Sequence, residues 1–291
     1  MKKSLILVAA ALALTAAFTA CSKKNTGAAS GPRKIIIATG GNTAPSTFRN
    51  EKDELVGYET DVAKEVFSRL PQYTIEFTIA DSHSTLTGLD AGLYQVSYNT
   101  WGYNKSRGEK YIISDVATVV PHAFVTRTEN TDIKSVFDFP GHHVITLPGN
   151  ANDITYRNWN ARNPDKQIDV GYVENLAGWE TKVANGEIDF YYHSKPVILA
   201  TLAKTGVTGV KVTDVSVEDE RTLTQGIVGN FFYFPKGEEQ LRDDFNHAFK
   251  DAVADGSIAK IFAEYYPGYD FLITPEYIKS VRDFIANDLA K

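Results

Sequence analysis

The chain has 291 residues, 43% of them hydrophobic, with a single cysteine and a formal charge of −6. Such a length suits one large globular domain or two ordinary ones. The acidic balance argues against a nucleic-acid partner, and a lone cysteine excludes an intrachain disulfide, so packing and hydrogen bonding alone must stabilise the fold.

The chain begins with Lys2 and Lys3, an apolar run over residues 5–18, and the small residues Thr19 and Ala20 before Cys21. A basic start, an apolar stretch and small residues at a cut site form an export leader, and a cysteine just after the cut makes it a lipoprotein signal. Phe18 stands where Leu is usual, but the small residues remain. Residues 1–20 are thus expected to be removed, leaving Cys21 to carry a diacylglyceryl thioether whose two chains suffice for stable anchoring. Residues 21–33 (CSKKNTGAASGPR) are small and polar without apolar periodicity, the composition of a solvated tether. Past the leader no apolar run approaches the ~20 residues of a membrane span.

Residues 34–39 (KIIIAT) are β-branched and closed by Gly40 and Gly41, as in a strand buried on both faces. Over residues 59–70 the apolar side chains of Val62, Val66, Phe67 and Leu70 recur at helical spacing, with Asp61 in the first turn. Residues 74–80 (TIEFTIA) alternate as a strand. A similar plan returns with the strand 143–146, a helix from about Asn152, a strand near 170–173, a helix carrying Leu176, Trp179 and Val183, and the strand-like 188–192. Between the two halves, residues 118–126 (TVVPHAFVT) favour an extended path and read as a crossing between lobes. The C-terminal part is helical through Leu241, Phe245, Phe249 and Val253, with a stop at Gly256. Strand, helix, strand repeated in this way is an α/β fold.

The chain contains no G-x-S-x-G, H-E-x-x-H, C-x-x-C or P-loop motif. His142 and His143 are adjacent and would face opposite sides of a strand, and the other histidines show no ligand spacing, so neither a metal nor any other cofactor is indicated.

Residues 88–111 (GLDAGLYQVSYNTWGYNKSRGEKY) resemble the first-lobe signature of the polar amino-acid-binding proteins of ABC importers, in which a helix ending L-x-x-G leads through a strand to a T-x-E-R turn before K-x-x-F-S. Here those pieces are Leu89 to Gly92, Asn104-Lys105-Ser106-Arg107, and Lys110 ahead of Ile113-Ser114. VGYETDVA at 56–63, ANGEID at 184–189 and ADGSIAKI at 254–261 are similar to further family segments, and together they span the body to about Gly268. The resemblance implies a two-lobed, hinged periplasmic-binding-protein fold of type 2 with two chain crossings, residues 34–121 and 222–291 forming one lobe and 122–221 the other. It implies a monomeric, extracytoplasmic protein that clamps an amino acid and hands it to a permease, and no enzyme.

By that resemblance Arg107 pairs with the ligand α-carboxylate through parallel guanidinium donors. Asn99, Thr100, Trp101 and Gly102 precede it at a strand end. Gly102 lacks the hydroxyl many members have there, and Trp101 is either a wall of the site or a core aromatic. On the second lobe Asn150, Ala151 and Asn152 follow Gly149 at a helix start, where amides face a cleft; an ordinary N-cap reads the same way. Ser194, beside His193 and Lys195 and before Pro196, stands where the family often has an Asp for the ligand ammonium, so another carboxylate must serve or the amine must be handled differently. The positions that often carry stacking rings fall near Thr43 and Ser82, with Asn42 and His83 close in sequence, which implies a polar pocket and a polar or cystine-like cargo. Two alternatives share the fold: a small-carboxylate dehydratase, which would need an acid/base carboxylate that Ser194 does not supply, and a ligand sensor, which would be expected to carry a membrane segment and signalling domain beyond Lys291.

Overall fold

A computed structural model describes residues 31–291; the leader and Cys21 lie outside the described residues. The chain opens with β1 (Arg33–Thr39), whose Ile35, Ile37 and Ala38 are fully buried. A small antiparallel sheet of β2 (Asn42–Thr43), β3 (Thr47–Arg49) and β4 (Leu55–Val56) leads into α1 (Tyr58–Ser68). Gly57 at the N-cap has φ 123°, and a Cβ there would lie 2.5 Å from the Ser46 carbonyl oxygen, so only glycine lets the helix start this close to β3. As the spacing predicts, Val62, Val66 and Phe67 form the buried face of α1. Then follow β5 (Tyr73–Ile79), α2 (Ser82–Asp90), β6 (Val96–Ser97), α3 (Lys105–Lys110) and β7 (Ile112–Ile113).

The crossing segment is extended as predicted and becomes β8 (His122–Arg127). Next come β9 (His143–Thr146), α4 (Ala151–Arg162), β10 (Asp169–Tyr172), α5 (Trp179–Asn185), β11 (Phe190–Ser194), α6 (Lys195–Thr205), β12 (Val210–Val215) and α7 (Val217–Thr224). The chain closes with β13 (Tyr233–Phe234), α8 (Glu239–Ala254), α9 (Ser257–Tyr265) and α10 (Pro275–Leu289). Helices α6, α7 and α10 are absent from the periodicity reading, although Pro196 and Pro275 both occupy first-turn positions that suit proline. None of the described helices is long and apolar enough to cross a membrane.

The first sheet has the order β5-β1-β6-β13-β7, with β1 and β6 parallel and β13 antiparallel to both of its neighbours. A strand from the end of the chain therefore sits inside a sheet built by its beginning. Helices α1, α8 and α9 pack on one another through ring contacts such as Phe67 on Phe245 at 5.8 Å and Tyr58 on Phe262 at 5.6 Å, and Phe245 meets Phe234 of β13 at 5.8 Å. The core so formed draws on Ile35 to Val119 and again on Val228 to Val281. Two further cores, one around Phe139, Tyr156 and Phe190 and one around Val125, Trp179 and Tyr191, use side chains between Ala123 and Leu223. They lie about the order β11-β8-β12 and the parallel pair β10-β9. Asp189 ties these two sheets together, its amide donating to the His143 carbonyl and its carboxylate accepting the His143 amide, each at 2.8 Å. The ANGEID segment thus has a structural role.

Between the cores the chain passes twice, and the two passes touch. Asn230 donates to the Thr118 carbonyl and accepts from the Ala117 amide, both at 2.9 Å, while the Phe231 amide donates to the Trp101 carbonyl at 2.9 Å. Gly229, at φ 130°, makes this pairing possible: a Cβ there would stand 2.5 Å from Val116 Cγ2 and 2.7 Å from the Thr118 carbonyl oxygen. Gly229→Ala is expected to cost at least ~1–3 kcal/mol through backbone strain and displacement of the crossing, read as a lower urea midpoint; an unchanged midpoint would mean that the two passes are not tightly coupled.

Candidate functional site

Residues 99–102 leave the carboxyl end of β6, where ligands of open α/β sheets are met. Their backbone is held unusually. Thr100 has φ 54°, a left-handed conformation uncommon for a β-branched residue, and its amide donates to Glu59 Oε2 at 2.9 Å. The Thr100 hydroxyl bonds to the Asn99 carbonyl at 2.6 Å, and Asn99 Oδ1 accepts the Gly40 amide at 3.2 Å, which ties the turn to the end of β1. These bonds of Asn99 and Thr100 therefore build the turn itself.

Arg107 sits in the short helix α3, its amide capped by Asn104 Oδ1 at 2.9 Å. The guanidinium lies over the Trp101 ring, 4.7 Å from its centroid, and donates through Nη1 to the Gly102 carbonyl at 2.9 Å. The same carbonyl accepts the Tyr233 hydroxyl at 2.7 Å, and burial pushes that phenol above its ordinary pKa. Among the described residues no carboxylate is within ion-pair distance of Arg107. Trp101 packs on the first core and carries Arg107, and its indole N–H is buried without a partner. Gly102 pairs with Asn230 across an isolated bridge, so the site turn and the return crossing are joined.

On the other side, Asn150 caps α4 by accepting the Asp153 amide at 2.8 Å, and receives the Thr146 hydroxyl at 2.9 Å. Asn152 Nδ2 donates to the Tyr192 carbonyl at 2.8 Å, which binds the first turn of α4 to β11. Both the Ser194 amide, at 2.8 Å, and its hydroxyl, at 3.1 Å, approach His193 Nδ1. Two donors on Nδ1 assign the neutral tautomer protonated at Nε2, and burial together with nearby His122 lowers the His193 pKa to about 4. Ser194 and His193 thus satisfy each other and offer no negative charge.

A cavity of about 230 Å³ is lined by Ala151, Asn152, His122, Tyr192 and Val228 to Asn230; of the expected site residues it includes Ala151 and Asn152, and it includes neither residues 99–102 nor Arg107, His193 or Ser194. Asn42 and Thr43 lie apart from it in β2, where the Thr43 hydroxyl donates to Asn42 Oδ1 at 3.3 Å. Ser82 opens α2. A larger cavity of about 770 Å³ lies on the flank formed by α3, β7, α8 and α10 and includes none of the expected site residues.

Residues 99–102 and Arg107 are thus joined by direct bonds, and residues 150–152 are tied to β11 separately. Residues 35–268 match the model of the bacterial extracellular solute-binding proteins, family 3. The chain belongs to that family. It is 25% identical over 268 residues to a probable amino-acid-binding protein of Bacillus subtilis, YxeM, covering 91% of this chain and 96% of that one. It is 28% identical over 233 residues to the L-cystine-binding protein TcyA of the same organism, covering 80% and 81%. Among solved structures, one from work on glutathione import through GshT and the cystine importer TcyBC of Streptococcus mutans superposes with a TM-score of 0.64 at 26% identity, over 84% of this chain and 99% of that one. The L-cystine solute receptor of Neisseria gonorrhoeae, unliganded and open, shares the fold at a TM-score of 0.64 with 22% identity, covering 83% and 95%. This family-3 chain is thus a solute-binding protein of the two-lobed type and not an enzyme.

Two buried acids of this family-3 chain escape a sequence reading. Glu59 and Glu220 each stand in a helix first turn, where an acid ordinarily serves the helix dipole. Glu59 is only 1% exposed, and its burial raises its pKa from 4.5 to about 7 despite the Thr100 amide, which lowers it. The protonated form therefore favours the folded state, and this contribution, present below pH 4.5, is lost as pH rises through about 7. Glu59→Gln keeps the acceptor and removes the titration. Melting temperatures of the variant are expected to stay flatter than those of the parent between pH 5 and 8 and to exceed them at pH 8, by up to about 3 kcal/mol in stability terms. Parallel pH curves for the two proteins would show that Glu59 does not ionise in this range.

Proposed function

We propose that this protein is an extracytoplasmic, lipid-anchored receptor that captures an amino acid, polar or cystine-like, between its lobes and delivers it to an ABC permease. The observation that carries the reading is Arg107: a half-buried guanidinium, shaped by Trp101 and the Gly102 carbonyl and lacking a carboxylate partner among the described residues. A ligand α-carboxylate supplies that partner with bidentate geometry. Relatives named for cystine, arginine and histidine support an amino-acid cargo. Residues 99–102, 150–152 and 193–194 would complete the cleft, with Asn42, Thr43 and Ser82 at its outer edge.

The lobes in this reading are residues 34–121 with 222–291, and 122–221, and the distribution of the buried cores supports that division. The receptor acts as a monomer, and Cys21 holds it at the membrane, raising its effective concentration beside the permease.

Calorimetric titration of residues 22–291 with a panel of amino acids, L-cystine included, is expected to give at least one ligand well below millimolar Kd; nothing tighter than roughly 1 mM, about −4 kcal/mol, would overturn the amino-acid reading. Arg107→Ala is expected to reduce affinity for that ligand at least ~100-fold with the melting temperature nearly unchanged. Unaltered affinity would remove Arg107 from the site. In cells, Cys21→Ser is expected to move the protein from the membrane fraction to the soluble extracytoplasmic fraction, and retention on the membrane would dismiss the anchor.

A further inference from the structure

The cavity beneath the return crossing contains one acid, Glu220, and no lysine or arginine. Glu220 is 6% exposed. His122 Nδ1 is 3.0 Å from Glu220 Oε1 and 3.2 Å from the Val120 carbonyl oxygen. Both neighbours are acceptors, so Nδ1 carries a proton and donates to them. The imidazole is held in place by stacking on the Tyr192 ring, with centroids 5.3 Å apart and planes 25° apart.

A carboxylate can accept about four hydrogen bonds, and His122 supplies one. The Tyr192 hydroxyl is buried and makes no hydrogen bond of good geometry, and its phenol is pushed well above its ordinary pKa, first by burial and next by the charge of nearby Glu220. A buried acid with spare acceptor capacity and a buried hydroxyl without a partner thus face a cavity of about 230 Å³. The same cavity is lined by Ala151 and Asn152 in the first turn of α4, where the helix dipole favours the carboxylate end of a zwitterion. Because Gly102 pairs with Asn230, the cavity begins about one strand spacing, ~5 Å, from Gly102, whose carbonyl accepts from Arg107.

An amino acid buried in the cleft brings an ammonium group, which is costly to bury without a carboxylate. Ser194 and His193 do not provide one. We infer that Glu220, held by His122 beside Tyr192 and Asn152, accepts the ligand's primary ammonium group in this cavity. The assignment rests on the amino-acid reading above.

The test compares the parent protein with Glu220→Gln, using L-cystine and its des-amino analogue 3,3′-dithiodipropionic acid, and in parallel L-arginine and 5-guanidinovaleric acid. For the amino acid that binds the parent, Glu220→Gln is expected to weaken binding at least ~30-fold, as for loss of a hydrogen bond to a charged group, while the des-amino analogue changes less than ~3-fold. Adding Ser194→Asp to the Glu220→Gln protein is expected to recover most of the lost affinity. Equal weakening of both compounds would mean that Glu220 acts only on the fold, and undiminished amino-acid binding would mean that the ammonium lies elsewhere; either result overturns the assignment while leaving the amino-acid reading intact. A parent protein that binds no amino acid overturns both. Should Glu220→Gln not fold, Glu220→Asp, which keeps the charge but withdraws it by one methylene, carries the same comparison.

Discussion

The return of the chain through Gly229, Asn230 and Phe231 is the constraint on which the rest of this molecule depends. Asn230 bonds to the outgoing crossing at Ala117 and Thr118, and Phe231 bonds to the turn at Trp101. β13 then enters the middle of the first sheet between β6 and β7. The hinge, the site turn and the sheet therefore share one short run of backbone. Displacement of that run by a few tenths of an ångström would reach Gly102, the Arg107 guanidinium and the wall of the inner cavity together.

Around that run the site is made rigid before any ligand arrives. Glu59 holds the Thr100 amide in a left-handed turn, and Asn99 holds Gly40. Arg107 is confined by Trp101 below and the Gly102 carbonyl beside it. The second half is confined by a different device, since Asn152 reaches across to the Tyr192 carbonyl. Each half is thus preorganised within itself, and a small ligand that touches both has little side-chain entropy left to lose, which favours affinity from few contacts.

Much of this was legible from residue order. The buried face of α1, the strands β1, β5, β9 and β10, and the extended crossing all follow from apolar period and β-branching, because those patterns report burial that a neighbouring layer must satisfy. Arg107 was legible because its turn carries a recognisable string of residues. Helix α7 was not, since its eight residues VEDERTLT are polar on most faces and only Glu220 and Leu223 are buried. Glu59 and Glu220 were hidden for a related reason. An acid in a helix first turn satisfies a local rule, and the local rule does not reveal that the helix end points inward.

The sequence by itself determined the α/β plan, the family and the segment that carries Arg107, because each is written in contiguous residues whose spacing has a physical period or a chemical meaning. The tertiary structure alone decided that Glu59 and Glu220 are buried, that Ser194 is occupied by His193, and that Gly229 must be glycine. Those facts depend on distances between residues far apart in the chain, and burial, which sets their protonation and their partners, is a property of the packed layers and not of any one segment.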